Sequence, residues 1–565
     1  MKGKLKKIFA GAMGAAMICA ALAGCTGRAP EGSEPVNTDQ LQLYIGVYEG
    51  GLGSDWVYAL KKDFEDKYAD VTFGDKKGVQ LRISESKAFT GEFGTSGTVN
   101  MSQEVIFAEG AATLYCAERG DFLDISDVVT KPLNYDFVRK STGSGESATI
   151  ESKLNQDQRD YYSAIDGKYY ALPTAEAYMG LAYDIEVFED NNLYFAPDGS
   201  FVTGPDAERS SGPDGDPSTE WDNGLPQTYE QFYTLCAKIK NDLKMIPVMW
   251  GGALQEMVSF LLLSLEADNV GAEQMYLNYD YDGTLEKPIT SFDGSGNPQF
   301  GADVPITAAT GYELYKQSGK YYALKFIEGI IENGYYNVDN GTSSAFTHQD
   351  AEGVFVSAKY NTNMTRAAML VDGNWWQSEA KGVFADWEAE KGAEASMQNR
   401  KFGMMPFPKA SAEELGPMTL LTYQGHVGFI NSHIDAEKVD IAKAFLQYCY
   451  TEEALRTYTV TTNICRPVTY DMGDAYDQLS THGKMCVDLH TSANKVSMES
   501  ASKINRNYNT QIWYAPELWK STVGGTTYTY PSLAMINNGI SAEDYFMGMR
   551  AYWTPSVWSA TFKNV

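Results

Sequence analysis

Residues 41–68 read LQLYIGVYEGGLGSDWVYALKKDFEDKY. Leu41, Leu43, Ile45 and Val47 alternate with other residues, the period of a strand. Gly50, Gly51 and Gly53 then open a loop. Ser54 is placed to cap a helix whose Val57, Leu60, Phe64 and Tyr68 fall on one face. A second strand follows near Val79 to Ile83. Strand, helix and strand at this spacing make a βαβ unit, which implies a parallel sheet with helices on its faces. The fold class expected is α/β.

The alternation continues down the chain. Val105 to Phe107 reads as a strand, and Leu172 and Pro173 sit near a crossover. Thr228 and Gln231 form a capping box for a helix carrying Phe232, Leu235, Cys236 and Ile239. Met369 to Val371 and Phe402 to Met405 are short strands. Asp435 caps a helix with Val439, Ala442, Phe445 and Leu446 on one face, and Thr451 caps the next, with Leu455 and Tyr458. The apolar run Phe260 to Leu265 is too short for a membrane span and reads as a buried helix. Pro197 to Pro226 and Tyr279 to Pro305 are dense in Gly, Pro, Asp and Ser, and read as loops decorating the fold. Asp214, Asp216, Glu220 and Asp222 cluster in the first, Asp280 and Asp282 in the second. Pro217 and Trp221 break any EF-hand spacing, so solvated loop acids are a better reading than a calcium site.

The start of the chain is an address. Lys2, Lys4, Lys6 and Lys7 precede a short apolar run from Ile8 to Ala23, the layout of a secretory signal. It ends in Leu22-Ala23-Gly24-Cys25, which resembles the lipobox of bacterial lipoproteins. That resemblance implies cleavage after residue 24 and a lipid on Cys25. Residues 25–40 then form a flexible tether rich in Gly, Pro, Glu and Ser. The chain is expected to work outside the cytoplasm, held to a bilayer by that lipid.

Charge narrows the partners. The 565 residues carry a net charge of −29, and −33 once the four signal lysines are removed. Nucleic acid is excluded, since phosphates need basic patches. A neutral ligand suits an acidic extracellular protein. Aromatic residues make up 13% of the chain, with 37 Tyr and 10 Trp, a surplus that suits flat apolar ligand faces such as sugar rings. Cys116, Cys236, Cys449, Cys465 and Cys486 are odd in number and widely spaced, and read as buried small hydrophobes with at most one pair bridged.

Catalytic signatures are missing. There is no His-Glu-x-x-His, no Gly-x-Ser-x-Gly and no Walker loop. His348, His426, His433, His482 and His490 are not spaced as a helical metal pair. No cofactor or metal centre is expected. A glycoside hydrolase needs two carboxylates in one cleft, and no pair stands out among 74 acids.

Six ordered blocks resemble extracellular solute-binding proteins of ABC importers, the class that includes maltose-binding protein. They are Leu41 to Tyr68, Asp166 to Pro173 with Leu181 to Asp184, Leu225 to Phe232 running on to Gly251, Ala367 to Trp376, Phe402 to Lys409, and Ile441 to Val468. The resemblance implies two α/β lobes joined by a hinge of crossing strands, with ligand in the cleft between them. Lobe one would hold 41–175 and 421–465. Lobe two would hold 176–420 and 466–565, including a tail longer than the family's pattern.

Candidate ligand residues follow from strand ends and from the resemblance. Glu49 and Glu109 lie just after strands, where α/β folds place ligands; each is a hydroxyl acceptor or an exposed loop acid. The resemblance puts contacts at the crossover, which points to Glu176 and Tyr178. Trp250, before two glycines, is a stacking platform or core. Trp375 and Trp376 are adjacent, so one is assigned to the cleft and one to the core; Asp372 and Asn374 flank the same turn. Tyr423 lies on the return strand. His426, a lone histidine, reads as structural. Arg466 reaches the cleft or pins the hinge. Trp513, Trp519, Trp553 and Trp558 either cap a long oligosaccharide or pack in the core, and core is the default reading for most of them.

The function expected is a lipid-anchored, monomeric binding protein that closes on an oligosaccharide and delivers it to an ABC permease. The alternatives are a surface glycan-capture or sensory protein without a permease, and a glycoside hydrolase.

Overall fold

The computed structural model describes residues 34–91, 93–110, 112–423, 426–499 and 519–561. The expected signal segment, Cys25 and Trp513 lie outside the described residues. In chain order the elements that build the molecule are β1 (Leu41–Tyr48), α1 (Asp55–Tyr68), β2 (Val79–Ser86), β3 (Val105–Ala108), β4 (Ala171–Pro173), β5 (Met179–Asp184), α2 (Tyr229–Asn241), β6 (Ile246–Met249) and α3 (Glu256–Asp280). They continue with α4 (His348–Ser357), β7 (Ala367–Gly373), β8 (Phe402–Met405), β9 (Thr419–Thr422), β10 (Val427–Ile430), α5 (Val439–Tyr448), α6 (Glu452–Thr462), α7 (Thr481–Ser492) and β11 (Asn494–Ser497).

Two sheets form, each with its own core. The first has the order β2-β1-β3-β10-β4. Strands β1, β2 and β3 are parallel, as a βαβ start requires, while β10 runs antiparallel to β3 and β4. The second has the order β6-β7-β5-β8, with β6 parallel to β7 and β5 antiparallel to β7 and β8. One apolar core gathers residues from Leu41 to Ala175 and from Val427 to Val468. The other gathers Ala177 to Tyr423 and Met485 to Trp558. These are the two lobes of an α/β fold.

Helix α1 shows why the first lobe holds together. Its buried residues are Trp56, Val57, Leu60, Phe64 and Tyr68, the face of an amphipathic helix on a sheet. Phe64 meets Phe445 of α5 edge-on at 5.0 Å, and Trp56 meets Phe107 of β3 at 4.8 Å. Ser54 precedes α1 but makes no side-chain cap; its hydroxyl donates to Glu85 at the end of β2 instead.

The chain crosses between the lobes beside the sheet ends. Ala177 and Tyr423 form an antiparallel bridge, each amide donating to the other's carbonyl at 3.0 and 2.7 Å. Thr174 N–H donates to the His426 carbonyl at 2.8 Å, and Glu176 N–H to the Cys465 carbonyl at 3.0 Å. Three segments are thus tied at one place, which is the geometry of a hinge. Strand β9 pairs with β11 inside the second lobe, and Leu421 packs in that core, so the return to the first lobe falls after Tyr423 rather than at 421.

Several local expectations change. Thr228 accepts from the Gln231 amide at 3.4 Å, but the Gln231 side chain accepts from Gln227, so the capping box is not completed. Asp435 makes no cap; a short 3-10 turn, Ala436–Lys438, intervenes before α5. Thr451 does cap α6 through the Ala454 amide at 3.3 Å. Within 279–305, the end of α3 is followed by two small hairpins, Gly283–Leu285 with Val304–Ile306 and Ile289–Phe292 with Pro298–Phe300. The five described cysteines are buried and unbridged. Trp519, Trp553 and Trp558 are buried. No helix among the described residues is long and apolar enough to cross a membrane.

Candidate functional site

The lobes meet where the loop after β1 faces the turn after β7. Trp375 stands in that turn, half-buried, at the mouth of the one-turn helix Trp376–Glu379. Its ring lies so near two glycines that a Cβ on Gly51, from the opposite lobe, would come within 2.8 Å of it, and one on Gly373 within 2.0 Å. The glycine loop read in the sequence therefore lets backbone approach an indole from the other lobe. Beside it, Lys381 reaches across to Asp55 at 2.8 Å.

Each lobe also brings a glutamate–histidine pair to this contact. In the first, Glu109, just past β3, lies 3.4 Å from His426 Nε2 and hydrogen-bonds the Tyr48 hydroxyl at the end of β1. Burial pushes the Glu109 carboxyl up, but His426 and Tyr48 outweigh it and hold it below the ordinary value. In the second, Glu379 lies 3.4 Å from His348 Nε2 and accepts from Gln349 at 2.8 Å. Its carboxyl is likewise lowered, burial being outweighed chiefly by His348. The Glu379 bond raises His348. Burial and the charges of Glu109, Glu379 and Glu49 push the Tyr48 phenol up. Glu49 itself is exposed at the end of β1.

Behind Glu379 lie two further carboxyls. Burial drives Asp372 up to about 8, the charge of Glu379 adding to it. Glu352 on α4 is also raised by burial and by Asp372 and Glu379. On the first-lobe side a cavity of about 30 Å³ is bounded by Tyr48, Gly50, Gly53, Trp56, Thr174 and His426. That is room for a water or two and far below the volume of a small-molecule site. Among the described residues no group of three His, Cys, Asp or Glu is arranged to hold a metal ion.

The structure places other sequence candidates away from this contact. Trp250 is fully buried, stacked on Tyr336 at 4.8 Å, its indole N–H donating to the Gly341 carbonyl at 2.9 Å. It is core, because the glycines after it let another loop pack tightly against the backbone. Trp376 is core too, among Phe355, Phe402 and His482. Glu176 is buried in the hinge against His490 at 2.7 Å and Lys495 at 3.0 Å; burial opposes its charge, yet those partners hold it down at about 2. Tyr178 is buried beside it. Asn374 splints the crossover, accepting from the Tyr178 amide at 3.2 Å and donating to the Glu176 carbonyl at 2.9 Å. Tyr423 is a buried hinge residue and Asp372 is fully buried. Arg466 takes the hinge reading: its guanidinium is buried among the rings of Tyr458, Trp56 and Tyr450 at 4.3, 4.6 and 5.1 Å.

With two lobes, a three-segment hinge and a site at the strand ends between them, the architecture is that of a binding protein. The family described as bacterial extracellular solute-binding protein matches residues 69–485. The chain belongs to that family. The family is extracellular, which agrees with the extracytoplasmic location expected from the sequence. Among solved structures, a chitin oligosaccharide binding protein aligns with a TM-score of 0.53 at 14% identity, covering 93% of this chain and 100% of its own. A chain solved in work on xylan utilization by the thermophilic bacterium Caldanaerobius polysaccharolyticus aligns at 0.52 and 12%, covering 90% and 99%. These likenesses show the fold. No curated protein matches the chain.

Sequence reasoning did not name Tyr48, His348 or Glu379 as site candidates and read His426 as structural. Glu379 was open to discovery, because it stands four residues after Trp375 and so shares its side of a helical turn. Tyr48 is the last residue of the first strand, one before Glu49. His348 carries no such signal: only folding brings the start of α4 to the cleft.

Proposed function

We propose that this protein binds a carbohydrate between its lobes and delivers it to an ABC permease, tethered to the membrane through a lipid on Cys25. It does no covalent chemistry. The observation that carries this reading is Trp375 held against Gly51 of the opposite lobe with Glu379 close to the same glycine, and Glu109 hydrogen-bonded to Tyr48 on the first-lobe side. An indole face stacks on the C–H face of a sugar, and carboxylates accept from its hydroxyls. The fold is shared with a chitin oligosaccharide binding protein, which supports the same ligand class. Glu49, Glu109, Glu379 and Trp375 are the residues proposed to touch ligand.

A thermal-shift screen over mono- and oligosaccharides tests this. Ligand that binds only the folded state raises the melting temperature by linkage. A sugar that does so, and loses its effect in Trp375→Ala, supports the reading. A panel of sugars without a single response, beside a peptide panel that responds, overturns it.

A further inference from the structure

A cavity of about 380 Å³ lies between the segment that follows α6 and helix α7. That is the volume of a small-molecule site, and it shares no lining residue with the cavity at the lobe contact. Cys465, Met472 and Val487 form its apolar wall, part of a small apolar cluster separate from both lobe cores. Tyr470 and Tyr476 stand beside them. Polar groups converge on the same space. Asp488 accepts from the Tyr476 hydroxyl, its two oxygens lying at 3.0 and 2.9 Å. Asp471 and Thr491 are exposed at the mouth. No Lys or Arg lines the cavity; Lys484 lies over the outer ring of Tyr476 at 5.4 Å. Burial pushes the Asp488 carboxyl up, against the Tyr476 hydrogen bond and the charge of Lys484, so a cation placed in the cavity favours the ionised form that burial disfavours. The walls are also anchored. The Cys465 carbonyl accepts from the Glu176 amide at 3.0 Å, and His490 is held through Nδ1 to the Glu176 carboxylate at 2.7 Å.

We infer that this cavity is a second ligand site, separate from the carbohydrate cleft, and that it takes an arylalkylamine, the ring packed among Tyr470, Tyr476 and Met472 and the protonated amine on Asp488. Tyrosine faces and a methionine thioether suit an aromatic ring. A carboxylate has room for more donors than the one hydroxyl of Tyr476, and an ammonium brings three. Where the amine lies over a tyrosine face, cation–π attraction adds to this. A ligand carrying a carboxylate meets Asp488 and Asp471 with no lining Lys or Arg to receive it, and a neutral ring gains only the apolar contacts.

The test is calorimetric titration of the full chain with tryptamine, tryptophol and indole-3-acetate, which share a ring and differ in the group on its arm. The expected result at about pH 7, where the amine is protonated, is saturable binding of tryptamine, roughly tenfold or more tighter than the alcohol or the acid. Asp488→Asn removes the charge at constant shape, and Thr491→Trp fills the exposed mouth. Each should weaken tryptamine by roughly tenfold, with melting temperature reporting that the variants fold; Thr491 is exposed, so that variant stands even where Asp488→Asn does not fold. Trp375→Ala, in the cleft, should leave tryptamine binding at the wild-type value. Equal or tighter binding of the alcohol or the acid overturns the inference. So does the absence of saturable tryptamine binding, its survival in the cavity variants, or its loss in Trp375→Ala. None of these results bears on the carbohydrate reading, which the sugar panel decides.

Discussion

The adjacent indoles Trp375 and Trp376 do opposite work. Trp376 is fully buried among aromatic neighbours, so Trp376→Ala should lower stability by about 3–5 kcal/mol, read as a large drop in denaturation midpoint. Trp375 is half-buried at the lobe contact, and Trp375→Ala should weaken ligand binding with a much smaller change in that midpoint. Asp372 gives a pH signature. Its folded carboxyl sits at about 8 against an ordinary 3.8, so the unfolded chain ionises first as pH rises. Stability from this group is full below about pH 4 and is lost progressively towards pH 8. Asp372→Asn removes the titration, so its melting temperature should gain on the wild type between about pH 5 and 8; a constant gap over that range would refute the buried-acid account. The sequence pointed to Glu109 and to one of the two tryptophans because both follow strands. It could not separate Glu176, Asn374 and Arg466 from ligand contacts, because hinge and cleft share the same strand ends. Which side chain turns inward depends on partners hundreds of residues away, such as His490 for Glu176.

At the scale of elements, the loop between β1 and α1 matters through what it lacks. A Cβ at position 51 would lie 2.8 Å from the Trp375 ring, closer than real contacts allow. Gly51→Ala should therefore hold the lobes apart and weaken ligand affinity, while the first lobe, whose core does not use this residue, keeps its stability. Small-angle scattering with and without sugar would show the variant failing to compact as the wild type does. The βαβ unit that predicts this loop was legible because its signals are local: period two in β1, period 3.6 in α1, and glycine between them. The caps were less legible, since Ser54 and Gln231 find better partners in Glu85 and Gln227 than in their own helices. The hairpins within 279–305 escaped because their strands are three or four residues long and mostly exposed, so no alternation marks them.

For the whole molecule, two cores tied by three crossings make each lobe rigid and the hinge the soft degree of freedom. Ligand can shift the lobes towards closure only by binding the closed form better than the open one, which the contacts proposed for Trp375, Glu109 and Glu379 from both sides would provide. The discontinuous lobes followed from the family resemblance rather than from periodicity, since nothing local tells a chain when it leaves one core for another. In the proposed function, a lipid on Cys25 sets where this closure happens. It is separated from β1 by a segment of Gly, Pro, Glu and Ser, so an anchored protein samples a small volume above the bilayer and its effective concentration at a permease rises. In this proposal, binding rests on residues from Tyr48 onward and anchoring on residue 25 alone. Cys25→Ala should thus leave sugar affinity at the wild-type value, release the protein from cells into the medium, and slow uptake of the bound sugar. Fractionation and a transport assay on the same strain read all of this. Full retention of Cys25→Ala at the membrane would remove the lipid anchor from the proposal, and loss of affinity in the purified variant would contradict the separation of tether and cleft.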